Sequence, residues 1–150
     1  MADLQWLRDQ TDLPLIAKGV AHPEDAARLM AAGWQGVALS THGGRALDEA
    51  PPPLALLPAM RAALGPKAAI LLDGGVRTGG DVFKALALGA NAVMIGRPQL
   101  HALAVAGSLG VAHMLKLLRE ELELTMVLAG TARIADITAD ALIPSGDCPC

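Results

Sequence analysis

The chain has no tyrosine, one phenylalanine and two tryptophans, an aromatic share of 2%. Stacking on bases needs aromatic platforms, and gripping a phosphodiester backbone needs a basic stripe. Neither is present, the net charge is −3 and the isoelectric point is near 5.7, so no nucleic-acid partner is expected. Cysteine is almost as scarce: Cys148 and Cys150 stand alone in the last three residues. A Cys-Pro-Cys tail builds no disulfide framework and lacks a second pair of ligands, so no metal site is expected and the tail reads as a frayed end. Met1-Ala2-Asp3-Leu4-Gln5-Trp6 shows no basic region leading into an apolar core, and no signal peptide is expected. Without disulfide or targeting signals, the expected location is cytoplasmic. Charges at Asp73, Lys84, Arg97 and Lys116–Glu123 divide the apolar runs, so no membrane-spanning segment is expected either.

What the chain has in excess is apolar residue: 53% of 150 residues, with a mean hydropathy of +0.41. Parallel strands buried on both faces would account for part of this, and surface meant for a partner for the rest. Four short apolar runs read as buried strands: Leu15–Ala17, Gly36–Leu39, Ala69–Leu72 and Ala92–Ile95. Helical stretches separate them. One opens at Pro23-Glu24-Asp25, where proline suits the first turn and the acids suit the helix dipole, and stops at Gly33. A second, 54–64, follows the rigid Pro51-Pro52-Pro53 and closes at Gly65-Pro66. A third, 80–88, carries Val82, Phe83, Leu86 and Ala87 at core spacing. A helix at 2–8 precedes this series. A short helix at 100–106, an amphipathic one at 111–128, and a turn with a short helix within 131–142 follow it. Strand and helix thus alternate four times, the pattern of a parallel α/β sheet. Residues 1–142 read as one domain and 143–150 as a flexible tail.

The polar residues of this pattern fall at the carboxyl ends of the strands. Lys18 follows the first, Ser40 and His42 the second, Asp73 and Arg77 the third, Gly96 and Arg97 the fourth. In a β/α barrel that end carries the active site, and in an open doubly wound sheet it collects ligands. In Ser40-Thr41-His42-Gly43-Gly44-Arg45 an imidazole that takes a proton near neutrality stands beside a guanidinium that grips carboxylates. That pairing suits an enzyme acting on a small hydroxy acid. Asp73-Gly74-Gly75-Val76-Arg77 and Gly96-Arg97 read as a phosphate cradle of glycine turns and a helix start. The alternative makes Asp73 and Arg77 a mutual surface ion pair. Lys18 either faces the edge of a bound ring or snorkels at the rim. Ser40 either bonds the same ligand or caps its loop. Asp48 and Glu49 read as loop solvation, and His22, His101 and His113 as structural or exposed.

Several of these segments together resemble one family. Leu13–Val20, Ser40–Arg45, Asp73–Arg77 followed by Asp81–Ala90, Ile95–Pro98 and Leu118–Ile137 resemble the carboxyl-terminal half of the FMN-dependent α-hydroxy acid dehydrogenases and oxidases, which include flavin-type L-lactate dehydrogenases and glycolate oxidase. The family fold is a (β/α)₈ barrel of TIM type, and the resemblance makes these strands its fifth to eighth, a half-barrel. It implies FMN as cofactor and oxidation of an L-2-hydroxy acid such as lactate to the 2-oxo acid. It implies that His42 is the general base as hydrogen leaves C2, as hydride or through a carbanion, and that Arg45 clamps the substrate carboxylate. Lys18 and Ser40 would contact the flavin ring, and Asp73, Gly74, Gly75, Val76, Arg77, Gly96 and Arg97 would hold the ribityl phosphate. Two departures stand out. Thr41 replaces the family's usual asparagine, and the first four strands, with the family's substrate-binding tyrosines and the acid that pairs with the histidine, should lie upstream of Met1. The chain therefore reads as truncated, expected to pair with a missing amino-terminal half or to self-associate. The alternatives are a non-catalytic FMN- or phosphate-binding half-barrel and an inactive fragment.

Overall fold

The structure is a computed structural model and describes residues 2–143. The tail expected at 143–150, with both cysteines, lies outside the described residues apart from Ile143.

The four apolar runs pair in chain order into one parallel sheet: β1 (Ile16–Lys18), β2 (Gly36–Ser40), β3 (Ala69–Asp73) and β4 (Ala92–Met94). Around it lie α1 (Ala2–Asp9), α2 (Pro23–Ala31), α3 (Pro53–Leu64), α4 (Gly79–Ala87) and α5 (Arg97–Leu128), with single 3₁₀ turns at His42–Gly44, Ile134–Asp136 and Ala139–Ala141. The βα alternation read from the sequence is therefore the observed one, and the fold is α/β, four units of a barrel. Register pairs Lys18 with Ala38, Ser40 with Asp73, and Asp73 with Met94. Since neighbours in register point to the same side and alternate residues share a face, Ile16, Lys18, Ser40, Asp73 and Met94 occupy one face.

The two faces of the sheet differ. Val37, Leu39, Ile70 and Leu72 point to the other side and are buried under the helices, in one cluster with Leu29, Leu57 and Met60. On the first face Ile16 remains 42% exposed and Met94 37%. Parallel sheets are ordinarily covered on both faces; this one is covered on one, as expected of a half-barrel.

Local chemistry adjusts several boundaries. β3 runs on to Asp73, where its carboxylate is held by neighbours. α4 starts at Gly79, one residue earlier than expected, because Thr78 and Asp81 close a capping box: Thr78 Oγ1 accepts from Asp81 N at 3.2 Å, and Asp81 Oδ2 from Thr78 N at 3.0 Å. His22 caps α2, its Nδ1 accepting from Glu24 N at 3.3 Å. The expected helices at 100–106 and 111–128 are the two arms of α5, broken where Ala106 and Gly107 leave helical geometry. Gly79 lets α4 and α5 touch: a Cβ there would lie 2.1 Å from Leu122 N. Beyond that crossing, Phe83, Ala87 and Ile137 form a second small core.

Arg97 and Lys116 bound a stretch, 98–115, that holds no Asp, Glu, Lys or Arg. By length and composition alone α5 would pass for a membrane-crossing helix, but the break at Ala106 and Gly107 divides it into a short arm and one that carries Lys116, Arg119, Glu120, Glu121 and Glu123.

Candidate functional site

The register brings three side chains from three strands together. Lys18 Nζ lies 2.6 Å from Asp73 Oδ2 and donates to Ser40 Oγ at 3.0 Å. Ser40 Oγ donates to Asp73 Oδ2 at 2.8 Å and accepts from His42 N at 3.1 Å. Burial pushes the Asp73 carboxyl up, but hydrogen bonds from Lys18 and Ser40, with the charges of Lys18 and His42, outweigh it and hold the group below the usual carboxylate range. Asp73 thus faces Lys18, not Arg77, and the Asp73–Arg77 ion pair does not form.

His42 stands on the 3₁₀ turn after β2 with a left-handed backbone, φ +53°. Its N–H is tied to Ser40 as above, and its carbonyl accepts from Arg45 Nε at 3.1 Å. The imidazole makes no hydrogen bond among the described residues. It lies against Gly19, whose missing Cβ would sit 3.0 Å from His42 Cε1.

The β3–α4 turn supplies backbone. Val76 turns its side chain into the core. The N–H groups of Gly74, Gly75 and Val76 have no acceptor among the described residues. Arg77 gives its N–H to Asp81 Oδ2 at 3.0 Å, and its guanidinium is in no ion pair among the described residues. The same holds for the Arg97 guanidinium, which stands with Gly96 at the amino terminus of α5, the positive end of that helix's dipole.

These groups enclose one cleft of about 390 Å³. Its lining takes Lys18 from β1, His42 and Arg45 from the turn after β2, Asp73, Gly74, Gly75, Val76 and Arg77 from the end of β3 and the turn after it, and Gly96 and Arg97 from the start of α5. Of the residues singled out in the sequence, only Ser40 is not part of its lining; it lies buried behind Lys18 and Asp73. The sequence reading missed the apolar lining of Met94, Pro98 and Leu100 and the contact of Gly19 with His42. A larger apolar hollow of about 560 Å³ lies along the break in α5, lined mostly by α5 itself, with His101 and His113 on its rim. It lacks the converging donors of the first.

Residues 1–144 match the family model described as FMN-dependent dehydrogenase. The chain belongs to that family. An L-lactate oxidase from Alicycliphilus denitrificans is 61% identical over 143 residues, covering 95% of this chain and 39% of the relative. Glycolate oxidase 1 of Oryza sativa subsp. indica is 46% identical over 145 residues, covering 97% and 39%. Among solved structures, (S)-mandelate dehydrogenase, described as a monotopic membrane protein, superposes with a TM-score of 0.91 at 42% identity, over 95% of this chain and 38% of that one. A mandelate oxidase gives 0.88 at 45% identity, over 92% and 42%. The chain therefore spans about two fifths of the length of these FMN-dependent dehydrogenase relatives, which use FMN on 2-hydroxy acids.

Proposed function

We propose that this chain binds FMN in the 390 Å³ cleft and supplies the base and the carboxylate clamp for oxidation of an L-2-hydroxy acid to its 2-oxo acid. The observation that carries this reading is the convergence of four strand ends on one cleft that holds an imidazole and several cationic groups. The residues present fit the cofactor. Unengaged amides at Gly74–Val76, the guanidinium groups of Arg77 and Arg97 and the amino terminus of α5 form a donor set suited to a phosphate dianion. Lys18, paired with Asp73, brings an ammonium group to the cleft lining, suited to an electron-rich ring.

FMN, when bound, supplies the two-electron acceptor. The protein's share is placement and proton transfer. Arg45 fixes the substrate carboxylate by paired hydrogen bonds, and a ring nitrogen of His42 takes the hydroxyl proton as hydrogen leaves C2. The imidazolium so formed needs a counter-charge, and no described carboxylate bonds it. The uncovered sheet face and the open edges at β1 and β4 lead us to propose that a further polypeptide, an amino-terminal half-barrel or a second copy, completes the site.

The unpartnered imidazole favours a second reading, an FMN-binding half-barrel without turnover. Adding FMN and then L-lactate anaerobically separates the two. Yellow protein that bleaches supports the enzyme, yellow that persists supports the binding module, and protein that takes up no FMN refutes both.

A further inference from the structure

We propose that Gly19, at the carboxyl end of β1, is the positioning residue that sets the place of the His42 imidazole in the cleft. Its functional weight rests on the reading of His42 as the base; its geometry does not.

A Cβ on Gly19 would meet the ring at three atoms: Cε1 at 3.0 Å, Nδ1 at 3.7 Å and Nε2 at 4.0 Å. The ring therefore presents the edge carrying both nitrogens to the one residue type that leaves room for it. Neither partner is free to retreat. Gly19 N donates to Ala38 O at 2.9 Å, which ties it to β2, and its φ of +92° suits glycine. His42 is held at both backbone ends, by Ser40 Oγ on its N–H and by Arg45 Nε on its carbonyl. Ala38 and Ser40 are two residues apart on β2, so one strand fixes both sides of the contact.

This contact has a particular importance here. An imidazole base is usually oriented by a hydrogen bond to its second nitrogen. No such bond exists among the described residues, and packing against a bare Cα takes over part of that task. A methyl at Gly19 leaves the imidazole one way out, rotation of its own side-chain torsions, which carries the nitrogens away from their present place. The ring has to give by a few tenths of an ångström, and misplacing a reacting group slows the step it serves.

Gly19→Ala in the full chain tests this, with Gly65→Ala as the strain control. Gly65 also has a left-handed backbone, φ +70°, but open space where its Cβ would go. Two readouts are independent of turnover. The NMR signal of the His42 Cε1 proton, identified by its loss in His42→Ala, should move in Gly19→Ala and stay in place in Gly65→Ala. The fall in melting temperature caused by Gly19→Ala should shrink in the His42→Ala background, where the ring is gone. In FMN-loaded protein, Gly19→Ala should lower kcat by up to about tenfold while leaving FMN affinity little changed. An unmoved Cε1 signal, or an equal loss of stability with and without the imidazole, would overturn the proposal; failure to fold in both backgrounds counts as equal loss. Absence of turnover in the unmutated chain would sink the enzymatic reading and leave these two readouts intact.

Discussion

Lys18 and Asp73 meet at 2.6 Å although β2 runs between their strands, and Ser40 of that strand bonds both. The pair has a pH signature. Asp73 is held below its unfolded value of about 4, so its contribution is present above that value and is lost as pH falls through the folded one. Asp73→Asn should lower the melting temperature at neutral pH. The gap to the unmutated protein should narrow progressively as pH falls below the ordinary carboxylate value of about 4. Thermal melts across that range check it, and a constant gap would contradict the assignment.

His42→Ala removes the proposed base and none of the groups assigned to the phosphate. FMN should still bind and colour the protein. Bleaching by L-lactate should slow by about a hundredfold or more, the usual share of general base catalysis. Anaerobic absorbance traces give both values.

Arg77 and Arg97 face the cleft without an acidic partner among the described residues. A hydrogen bond to a charged group contributes about 1.5–3 kcal/mol, so Arg77→Gln and Arg97→Gln should each weaken FMN binding by roughly tenfold or more. Quenching of FMN fluorescence measures this. Riboflavin, which lacks the phosphate, should bind weakly to the unmutated chain and be insensitive to either substitution.

Far from the cleft, Arg61 ties α3 to the loops that lead into β3 and β4. Its guanidinium donates to Gly65 O at 2.6 Å, Ala68 O at 3.0 Å, Gly89 O at 2.7 Å and Asn91 Oδ1 at 2.7 Å. Asn91 Oδ1 in turn accepts from Ile70 N at 2.8 Å. Arg61→Ala leaves several part-buried carbonyls without a donor and should cost about 3 kcal/mol in a urea titration. Thr78→Ala, which opens the α4 capping box, should cost about 1 kcal/mol.

The strands and their order were legible because each is an uninterrupted apolar run between turn residues, and the polar positions stand out against them. The cleft was legible for the same reason: Lys18, His42, Arg45, Arg77 and Arg97 all fall just past such a run. What eluded the sequence depends on register and on contacts across the sheet. Asp73 was grouped with its neighbour in the chain, Arg77, whereas strand pairing turns it toward Lys18. Val76 was counted with the cradle, yet its side chain belongs to the core and only its amide faces outward. Gly19 carried no signal, because its importance lies in an imidazole more than twenty positions away.

The half-covered sheet gives the proposed second copy a thermodynamic signature. Ile16 and Met94 lie on a face that water wets when molecules are far apart and that a neighbour can shield when they are crowded. The melting temperature of a self-associating chain climbs with protein concentration, by mass action.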